Sequence, residues 1–294
     1  MYIDIHGHCV AESECPIGGM VPHCTPDELL AFYDMHGVER GTILPNANPE
    51  GVVGVQSNEE ALRIAREHDR FIPFCNVDPR AVSNDWRAPL GDMLKYYRDK
   101  GCRGLGEVCA NLRFLDPRMQ NLFKGAEEAG LPVTFHISQF AEYNYGIVDE
   151  PGLSELEICL QRFPKLRFFG HSQAFWCEMG VYNDVESRFG YPEGKITEEG
   201  ALPRLMRKYP NLYGDLSANS GAMALMRDRE YGIKFLNEFQ DRLMFGMDLC
   251  QPKAERSFKP LLPPYLRELH DKGEISDEVF TKVERGNAIR ELGL

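Results

Sequence analysis

Short apolar segments recur along the chain and alternate with longer stretches in which apolar residues follow helical spacing. Apolar runs of about four to eight residues, bounded by turn residues, are typical of strands buried on both faces of a parallel sheet. Eight segments fit this description and are predicted as strands. They are Tyr2 to His6, Thr42 to Pro45, Phe71 to Val77, Gly104 to Val108, Val133 to Ile137, Leu166 to Gly170, Leu212 to Leu216 and Leu243 to Met247.

The stretches between the predicted strands carry start signals for helices. Thr25-Pro-Asp-Glu28, Ser57-Asn-Glu-Glu60 and Ser154-Glu-Leu-Glu157 match the capping box, in which a hydroxyl residue precedes a glutamate by three positions. Asp116-Pro117 indicates an N-cap followed by proline at the first helical position. The chain is therefore expected to alternate strand and helix throughout.

Eightfold alternation of strand and helix over 294 residues predicts a closed (β/α)8 TIM barrel, a single domain spanning residues 1–294. Two helix-to-strand connectors, Arg162-Phe-Pro-Lys-Leu166 and Lys208-Tyr-Pro-Asn-Leu212, share one pattern, which supports a repeated unit. An open, doubly wound sheet is the alternative architecture, because it also alternates strands with helices.

The connections between the predicted elements are asymmetric. Links that enter strands are short, such as Gly130-Leu131-Pro132, whereas links that leave strands are long. In TIM barrels the loops that follow the strands build the active site, so function is expected at the carboxyl ends of the strands. The long links are 9 to 24, 138 to 153, 173 to 200 and 249 to 263.

Some residues of these loops have two interpretations. Aromatic residues in the fifth and sixth loops either cover the active site as a lid or pack the loops against the barrel. Near the end of the seventh predicted strand, Asp215, Ser217 and Asn219 either hydrogen-bond a substrate or cap the next helix. The aromatic residues concerned are Tyr143, Tyr145, Phe175, Trp176, Tyr182, Phe189 and Tyr191.

Composition narrows the function classes. The formal net charge is −12 and no cluster of Lys and Arg occurs, so nucleic acid is not expected as a partner. Nine cysteines include no Cys-x-x-Cys pair, which favours reduced thiols over a disulfide framework. The sequence begins without a basic and apolar leader, and no apolar run approaches the ~20 residues of a membrane span. A soluble, cytoplasmic protein is therefore expected.

Histidines and carboxylates stand at the ends of several predicted strands. In the first strand, the two-residue period places Asp4, His6 and His8 on one face, and neutral imidazole is a good ligand for zinc and similar divalent cations. Each histidine taken alone is better explained as a hydrogen-bonded core residue or a loop residue than as a ligand. Charged side chains at the mouth of an apolar barrel nevertheless require a partner. The further candidate ligands are Glu107, His136, His171 and Asp248, whereas His23, His36, His68 and His270 are expected on the surface.

The segments that contain these residues resemble the amidohydrolase superfamily. They are Asp4-x-His6-x-His8, His136 in Thr-Phe-His-Ile, His171 in Phe-Phe-Gly-His-Ser, and Asp248 in Phe-Gly-Met-Asp. The closest branch contains uncharacterised metal-dependent barrel hydrolases and relatives of aminocarboxymuconate-semialdehyde decarboxylase. The ending Gly286-Asn-Ala-Ile-Arg-Glu-Leu-Gly-Leu294 is also similar to that branch, so the resemblance spans the chain from residue 1 to 294.

The resemblance implies a ligand set. His6, His8, His136 and Asp248 would hold one divalent metal, and His171 would bind a second metal or act on the substrate. Glu107 matches a fourth-strand carboxylate that bridges two metals in some relatives, including TatD-type nucleases; alternatively, it holds another active-site residue in place. One or two ions are thus expected, with zinc first and manganese, iron or cobalt also compatible with nitrogen and oxygen ligands.

The resemblance also implies a reaction class. A divalent cation lowers the pKa of bound water to about 7, and Asp248 would take a proton from that water and pass it to the leaving group. His171 would polarise a carbonyl or bind the second ion, so hydrolysis of a small ester, lactone or amide is expected.

Three other functions stay open from the sequence. A non-oxidative decarboxylase of a conjugated carboxylic acid would use the same site and need a cation for the carboxylate, for which Arg113 is the best placed by sequence. A TatD-type deoxyribonuclease is disfavoured by the acidic charge. A binding protein on an inherited barrel is the last. A homo-oligomer is compatible with all of these, but the sequence marks no interface.

Overall fold

The computed structural model describes residues 1–50, 54–141, 144–182, 187–188, 190–252 and 259–294. The strands in these ranges are β1 (Tyr2–Asp4), β2 (Val38–Ile43), β3 (Phe71–Pro73), β4 (Leu105–Val108), β5 (Val133–Ser138), β6 (Ile147–Val148), β7 (Phe168–His171), β8 (Leu212–Asp215) and β9 (Leu243–Met244). The first helices are α1 (Pro26–His36), α2 (Asn58–Glu67), α3 (Leu90–Asp99), α4 (Pro117–Ala129), α5 (Ser154–Arg162) and α6 (Gln173–Cys177).

The second half of the chain adds further helices. They are α7 (Ala201–Lys208), α8 (Ser220–Met226), α9 (Arg229–Glu238), α10 (Leu262–Asp271), α11 (Asp277–Thr281) and α12 (Asn287–Leu292), with a π-helical turn at Lys282–Gly286 between the last two. No helix in the described ranges is long and apolar enough to cross a membrane.

The strands close into a barrel. All strand pairs are parallel, in the orders β1-β2-β3 and β4-β5-β7-β8-β9. The backbone N–H of Cys75 donates to Gly104 O at 2.9 Å and joins β3 to β4. The N–H of Ile5 donates to Phe245 O at 3.1 Å and the N–H of Asp248 to His6 O at 2.7 Å, which joins the β9 segment to β1. The predicted TIM barrel is therefore confirmed, and the open sheet is wrong.

The regular strands are shorter than several predicted segments. β1 ends at Asp4 and β9 at Met244, and the chain continues to the barrel mouth as irregular backbone with isolated bridges such as Gly7 to Leu249. β6, which was not predicted, lies in the fifth loop and pairs with the end of β5. Two residues carry too little apolar pattern to be recognised as a strand.

Three of the four predicted helix starts are confirmed. The Glu28 carboxylate accepts from the Thr25 backbone N–H at 2.8 Å, and Ser57 Oγ accepts from the Glu60 N–H at 3.1 Å. Asp116 caps α4 by accepting from the Arg118 N–H. At α5 the predicted box is wrong, and the side chain that accepts from the first helical N–H groups there is that of Asp149.

Asp149 accepts from the N–H of Glu155 at 3.1 Å and from that of Leu156 at 2.9 Å. Leu153, not Ser154, is the N-cap residue and adopts a left-handed conformation. The Asp149 carboxylate, from the preceding loop, therefore caps α5 in place of Ser154.

The described aromatic residues of the 173–200 loop pack against the barrel. Phe175 and Trp176 are buried in α6, and the Trp176 indole N–H donates to Asp215 O at 2.9 Å. The Tyr191 hydroxyl donates to Ala218 O at 3.3 Å. Tyr143 and Phe189, which were grouped with them, lie outside the described residues.

The two connectors with the shared sequence pattern are adjacent in the barrel. The side-chain amide of Asn211, in the second connector, donates to the carbonyls of Phe163 at 3.0 Å and Leu166 at 3.2 Å in the first connector. It also lies 3.2 Å from Leu160 O in α5. Asn211 is buried, whereas Lys165 at the same place in the first connector is exposed. One amide thus satisfies several buried carbonyls.

We expect Asn211→Ala to lower the free energy of unfolding by about 2–3 kcal/mol, because buried carbonyls lose their donor. Lys165→Ala is the matched control and should change it by less than about 0.5 kcal/mol. Urea unfolding followed by circular dichroism measures both values. Equal effects of the two substitutions would contradict the assigned role of Asn211.

Candidate metal centre

Asp4 supports the backbone of the site and does not join His6 and His8 at its centre. Its carboxylate accepts from the N–H of His6 and from the N–H of Met247, both at 2.9 Å, and from the Tyr33 hydroxyl at 2.8 Å. Burial raises the pKa of Asp4 to about 7. The expected shared face of Asp4, His6 and His8 is wrong for Asp4, because its short side chain finds backbone donors where β1 ends.

His6 and His8 both direct Nε2 towards the same two carboxylates. His6 Nδ1 lies 2.6 Å from Asp215 Oδ2, and His8 Nδ1 lies 2.9 Å from Leu44 O. Since carboxylate and carbonyl oxygens accept, each Nδ1 carries the proton and each Nε2 presents its lone pair when the ring is neutral. The paired residues thus fix both imidazoles in the form that a metal requires.

Glu107 lies between two groups of histidines. Its Oε2 is 3.5 Å from His6 Nε2 and 3.7 Å from His8 Nε2. Its Oε1 is 2.9 Å from His136 Nδ1 and 3.8 Å from His171 Nε2. One carboxylate therefore faces both groups, one oxygen towards each.

Gly106 makes room for this arrangement. Its φ is +137°, and a Cβ there would lie 2.5 Å from Thr134 O of the neighbouring strand. A side chain at this position would move the backbone that carries Glu107, which explains the glycine in Gly-Leu-Gly-Glu.

Asp248 also faces both groups. Its Oδ1 is 3.5 Å from His8 Nε2 and 3.7 Å from His6 Nε2, and its Oδ2 is 3.5 Å from His171 Nε2. Its backbone φ is +50°, a left-handed conformation that aspartate tolerates better than most residues. Its side chain is 17% exposed, whereas those of the other five candidate ligands are 0 to 7% exposed.

Potential ligand atoms form three groups, and the atoms of each group lie within 4.8 Å of one another. The first group contains His6, His8 and Asp248, and the second contains Glu107, His136 and His171. The third joins His6 and His171 to Asp215, which lies behind the two histidines. The barrel thus brings together all six residues predicted from the sequence. It places His136 with Glu107 and His171, although the resemblance implied a set in which His136 joins His6 and His8.

The charges of the centre call for a cation. Burial would lower the pKa of His6, but the negative charges of Asp248, Asp215 and Glu107 outweigh it and raise that pKa well above its ordinary value. Burial would raise the pKa of Asp248, but His6, His171 and His8 lower it. Within the described ranges, no Lys or Arg forms an ion pair with any of these carboxylates.

An unpartnered atom marks the place for that cation. His6 Nε2 is buried and has no hydrogen-bond partner, and it faces Glu107 Oε2 and Asp248 Oδ1. The separations of 3.5 to 3.7 Å among these atoms and His8 Nε2 are too long for good hydrogen bonds. They match atoms that surround one ion at about 2.0–2.2 Å each. The residues present therefore fit a divalent metal.

A cavity of about 90 Å³ opens above the centre. His23 lines it, with Nδ1 2.5 Å from Glu14 Oε2 and Nε2 2.9 Å from Asn46 Nδ2. The expected surface position of His23 is wrong, because the first loop folds back over the barrel mouth. The other residues that line the cavity besides the candidate ligands are Asn46, Ala47, Asn48, Cys109, Tyr145 and Cys250.

Arg113 does not reach the cavity. Its guanidinium pairs with Glu150 at 2.9 Å and Glu155 at 2.6 Å on the outside of the barrel. Arg113, the cation best placed by sequence, is therefore a surface arginine and not available to a substrate carboxylate, because Glu150 and Glu155 already pair with it.

Comparisons with known proteins agree with this fold. The Amidohydrolase family model matches residues 3–294. An amidohydrolase from Burkholderia multivorans with bound zinc is 16% identical, with 100% of this chain and 99% of that chain covered and a TM-score of 0.62. A probable 2-pyrone-4,6-dicarboxylic acid hydrolase from Acinetobacter baumannii is 12% identical, with 100% and 99% covered and a TM-score of 0.60.

The 5-carboxyvanillate decarboxylase from Sphingomonas paucimobilis is 19% identical, with 91% of this chain and 82% of that chain covered and a TM-score of 0.52. No curated protein sequence is significantly similar to this chain. At these identities the solved structures establish the fold, and the family model, which matches nearly every residue, establishes the family. The chain belongs to the amidohydrolase family.

Proposed function

We propose that this protein is a metal-dependent hydrolase of a small organic substrate with an ester, lactone or amide bond. The observation that carries the proposal is the position of Glu107, which directs one oxygen to His6 and His8 and the other to His136 and His171. A carboxylate in that position can be shared by two cations, and such pairs of ions activate water in many hydrolytic enzymes.

Two cation positions follow from the first two groups of atoms. We propose that His6, His8, Glu107 and Asp248 hold the first cation, and that Glu107, His136 and His171 hold the second. Imidazole and carboxylate ligands suit zinc, and they also accept manganese, iron or cobalt. Cations bound in this way supply water of lowered pKa and polarise a carbonyl group.

The side chains of the protein then move the proton. Asp248 is the most exposed of the six residues, so its carboxylate is the one that substrate and water can reach. It accepts a proton as the water attacks and donates that proton to the leaving oxygen or nitrogen. Burial lowers the pKa of His8 and His171 to about 4, so both are neutral and available as ligands.

A decarboxylase is the second candidate. His171 Nε2 and Asp248 Oδ2, 3.5 Å apart, could donate a proton to the carbon from which carbon dioxide leaves. This reaction needs a cation for the substrate carboxylate, and Arg113 is paired elsewhere. A deoxyribonuclease is less favoured, because the net charge is −12 and the described lining of the cavity contains no Lys or Arg.

The first test counts the metal ions. We expect about two equivalents of divalent metal per chain in the wild-type protein, and fewer than one in Glu107→Ala, because both positions lose their shared ligand. Elemental analysis after gel filtration gives the numbers. Glu14→Ala removes a carboxylate that accepts from His23 and, among the described residues, contacts none of the six candidate ligands; it is the control and should retain both ions.

A wild-type protein that binds a single ion would contradict the second position. Release of carbon dioxide from conjugated carboxylic acids by such a protein, without hydrolysis of esters or lactones, would favour the decarboxylase. Absence of bound metal in wild type would contradict both candidates.

The second test addresses the proton transfer. We expect Asp248→Asn to reduce kcat by about 10²- to 10⁴-fold, because the amide cannot accept the proton. A panel of fluorogenic esters and lactones provides the assay, and removal of metal with a chelator should abolish turnover until zinc is returned. Asp228→Asn, which alters a carboxylate that caps α9 outside the centre, should leave kcat unchanged. Full hydrolytic activity in Asp248→Asn would overturn the assigned role.

A further inference from the structure

Two residues that follow one another closely at the end of β8 each contact one histidine of the centre. Asp215 Oδ2 lies 2.6 Å from His6 Nδ1, and Ser217 Oγ lies 2.8 Å from His171 Nδ1. His6 belongs to the first cation position and His171 to the second. One short segment of the chain therefore contacts a histidine of each cation position, on the side of the ring that faces away from the centre.

Each contact is on the nitrogen that faces away from the centre. Nε2 of His6 faces Glu107 and Asp248 without a hydrogen-bond partner, and Nε2 of His171 faces the same two carboxylates at 3.8 and 3.5 Å. Asp215 and Ser217 therefore act on the metal-facing nitrogens through the imidazole rings.

The two contacts are not interchangeable. Asp215 Oδ2 is 3.8 Å from His171 Nδ1, which is too long for a hydrogen bond, so the carboxylate serves His6 and the hydroxyl serves His171. Asp215 accepts only, and His6 Nδ1 must therefore carry the proton. Each histidine thus has its own partner.

The turn that carries both residues is rigid and closed to solvent. Asp215 Oδ1 accepts from the Ser217 N–H at 3.1 Å, and the Trp176 indole donates to Asp215 O at 2.9 Å. Asp215 and Ser217 are both 0% exposed, which rules out the expected alternative that they bind substrate directly. Gly246 permits the close packing, because a Cβ there would lie 2.7 Å from Asp215 Oδ1 and 2.8 Å from Ser217 Cβ.

Asn219, which the sequence groups with Asp215 and Ser217, makes different contacts. Its amide donates to Lys259 O at 2.9 Å and its carbonyl oxygen accepts from the Leu261 N–H at 2.8 Å. It connects two loops and contacts neither histidine. The positioning role is therefore confined to Asp215 and Ser217.

We propose that Asp215 and Ser217 are positioning residues: Asp215 sets the orientation and tautomer of His6, Ser217 sets the orientation of His171, and the two contacts tune the first and the second cation positions, respectively. This inference rests on the proposed metal-dependent function. Groups that hold the outer nitrogen of a ligating histidine typically contribute 10- to 100-fold to metal affinity. Loss of either partner should therefore weaken one position more than the other.

The experiment compares zinc binding to wild type, Asp215→Asn and Ser217→Ala by competition with a chromogenic chelator. We expect Asp215→Asn to weaken the first position about 10- to 100-fold, because the amide N–H can donate to Nδ1 and move the ring proton to Nε2. Ser217→Ala should weaken the second position and leave the first nearly unchanged. Nitrogen NMR of the histidine rings should show the changed tautomer of His6 in Asp215→Asn and not in Ser217→Ala.

Two matched controls separate positioning from general stability. Ser276→Ala removes a hydroxyl that caps α11, and Asp149→Asn alters a buried carboxylate that caps α5. Both should bind zinc as wild type does. The thermal midpoint of the metal-free proteins reports folding, and Ser217→Ala, the smaller change, tests the inference by itself if Asp215→Asn does not fold.

The outcomes are distinct. Zinc affinities in both variants equal to those of wild type, with unchanged histidine tautomers, would overturn the inference while leaving the metal centre intact. A wild-type protein that binds no zinc would instead overturn the proposed function, and this inference with it.

Discussion

The structure depends on the burial of carboxylates at the end of an apolar barrel, where histidines surround them and no Lys or Arg of the described residues pairs with them. The Asp4 carboxylate accepts hydrogen bonds from backbone N–H groups and from a tyrosine hydroxyl. The Asp215 carboxylate accepts from His6 and from a backbone N–H. Glu107 and Asp248 are left facing histidine nitrogens at distances mostly beyond hydrogen bonding. Unpaired buried charge is costly, and a bound cation removes most of that cost.

The backbone of the barrel mouth is shaped to bring these groups together. Regular pairing in β1 and β9 ends before the functional residues, so that His6, His8 and Asp248 lie on irregular segments joined by a few backbone hydrogen bonds. Gly106 and Gly246 then allow the backbone and neighbouring side chains to approach more closely than a Cβ would permit. Gly106 immediately precedes Glu107, and Gly246 lies two residues before Asp248. Each glycine therefore belongs to the same short motif as the candidate ligand that it helps to position.

Much of the centre was predictable because strand periodicity and the direction of a parallel barrel determine which end each residue occupies. His6, Glu107, His171 and Asp248 were found in this way. The way in which these residues group could not be predicted, because the position of a strand end does not determine which side chains point at one another across the barrel. Asp215 and His6 are 209 positions apart in the sequence. The sequence indicates their pairing only by a polar residue at the end of a strand. Loop residues were hardest: His23 lies over the site and Arg113 away from it, because the folding of loops follows contacts rather than periodicity.

The charge of the centre also constrains its substrate. One divalent cation would be balanced by Glu107 and Asp248, leaving little attraction for a substrate carboxylate, and the described lining of the cavity adds neutral groups such as Asn46, Asn48 and Tyr145. A decarboxylase with a single ion would therefore lack the positive charge that its acidic substrate needs. Hydrolysis makes no such demand, because a neutral ester or lactone gains from polarisation of its carbonyl alone. A second cation would add positive charge at the place where the tetrahedral oxyanion develops, and Glu107, which directs one oxygen to each group of histidines, would separate the two like charges.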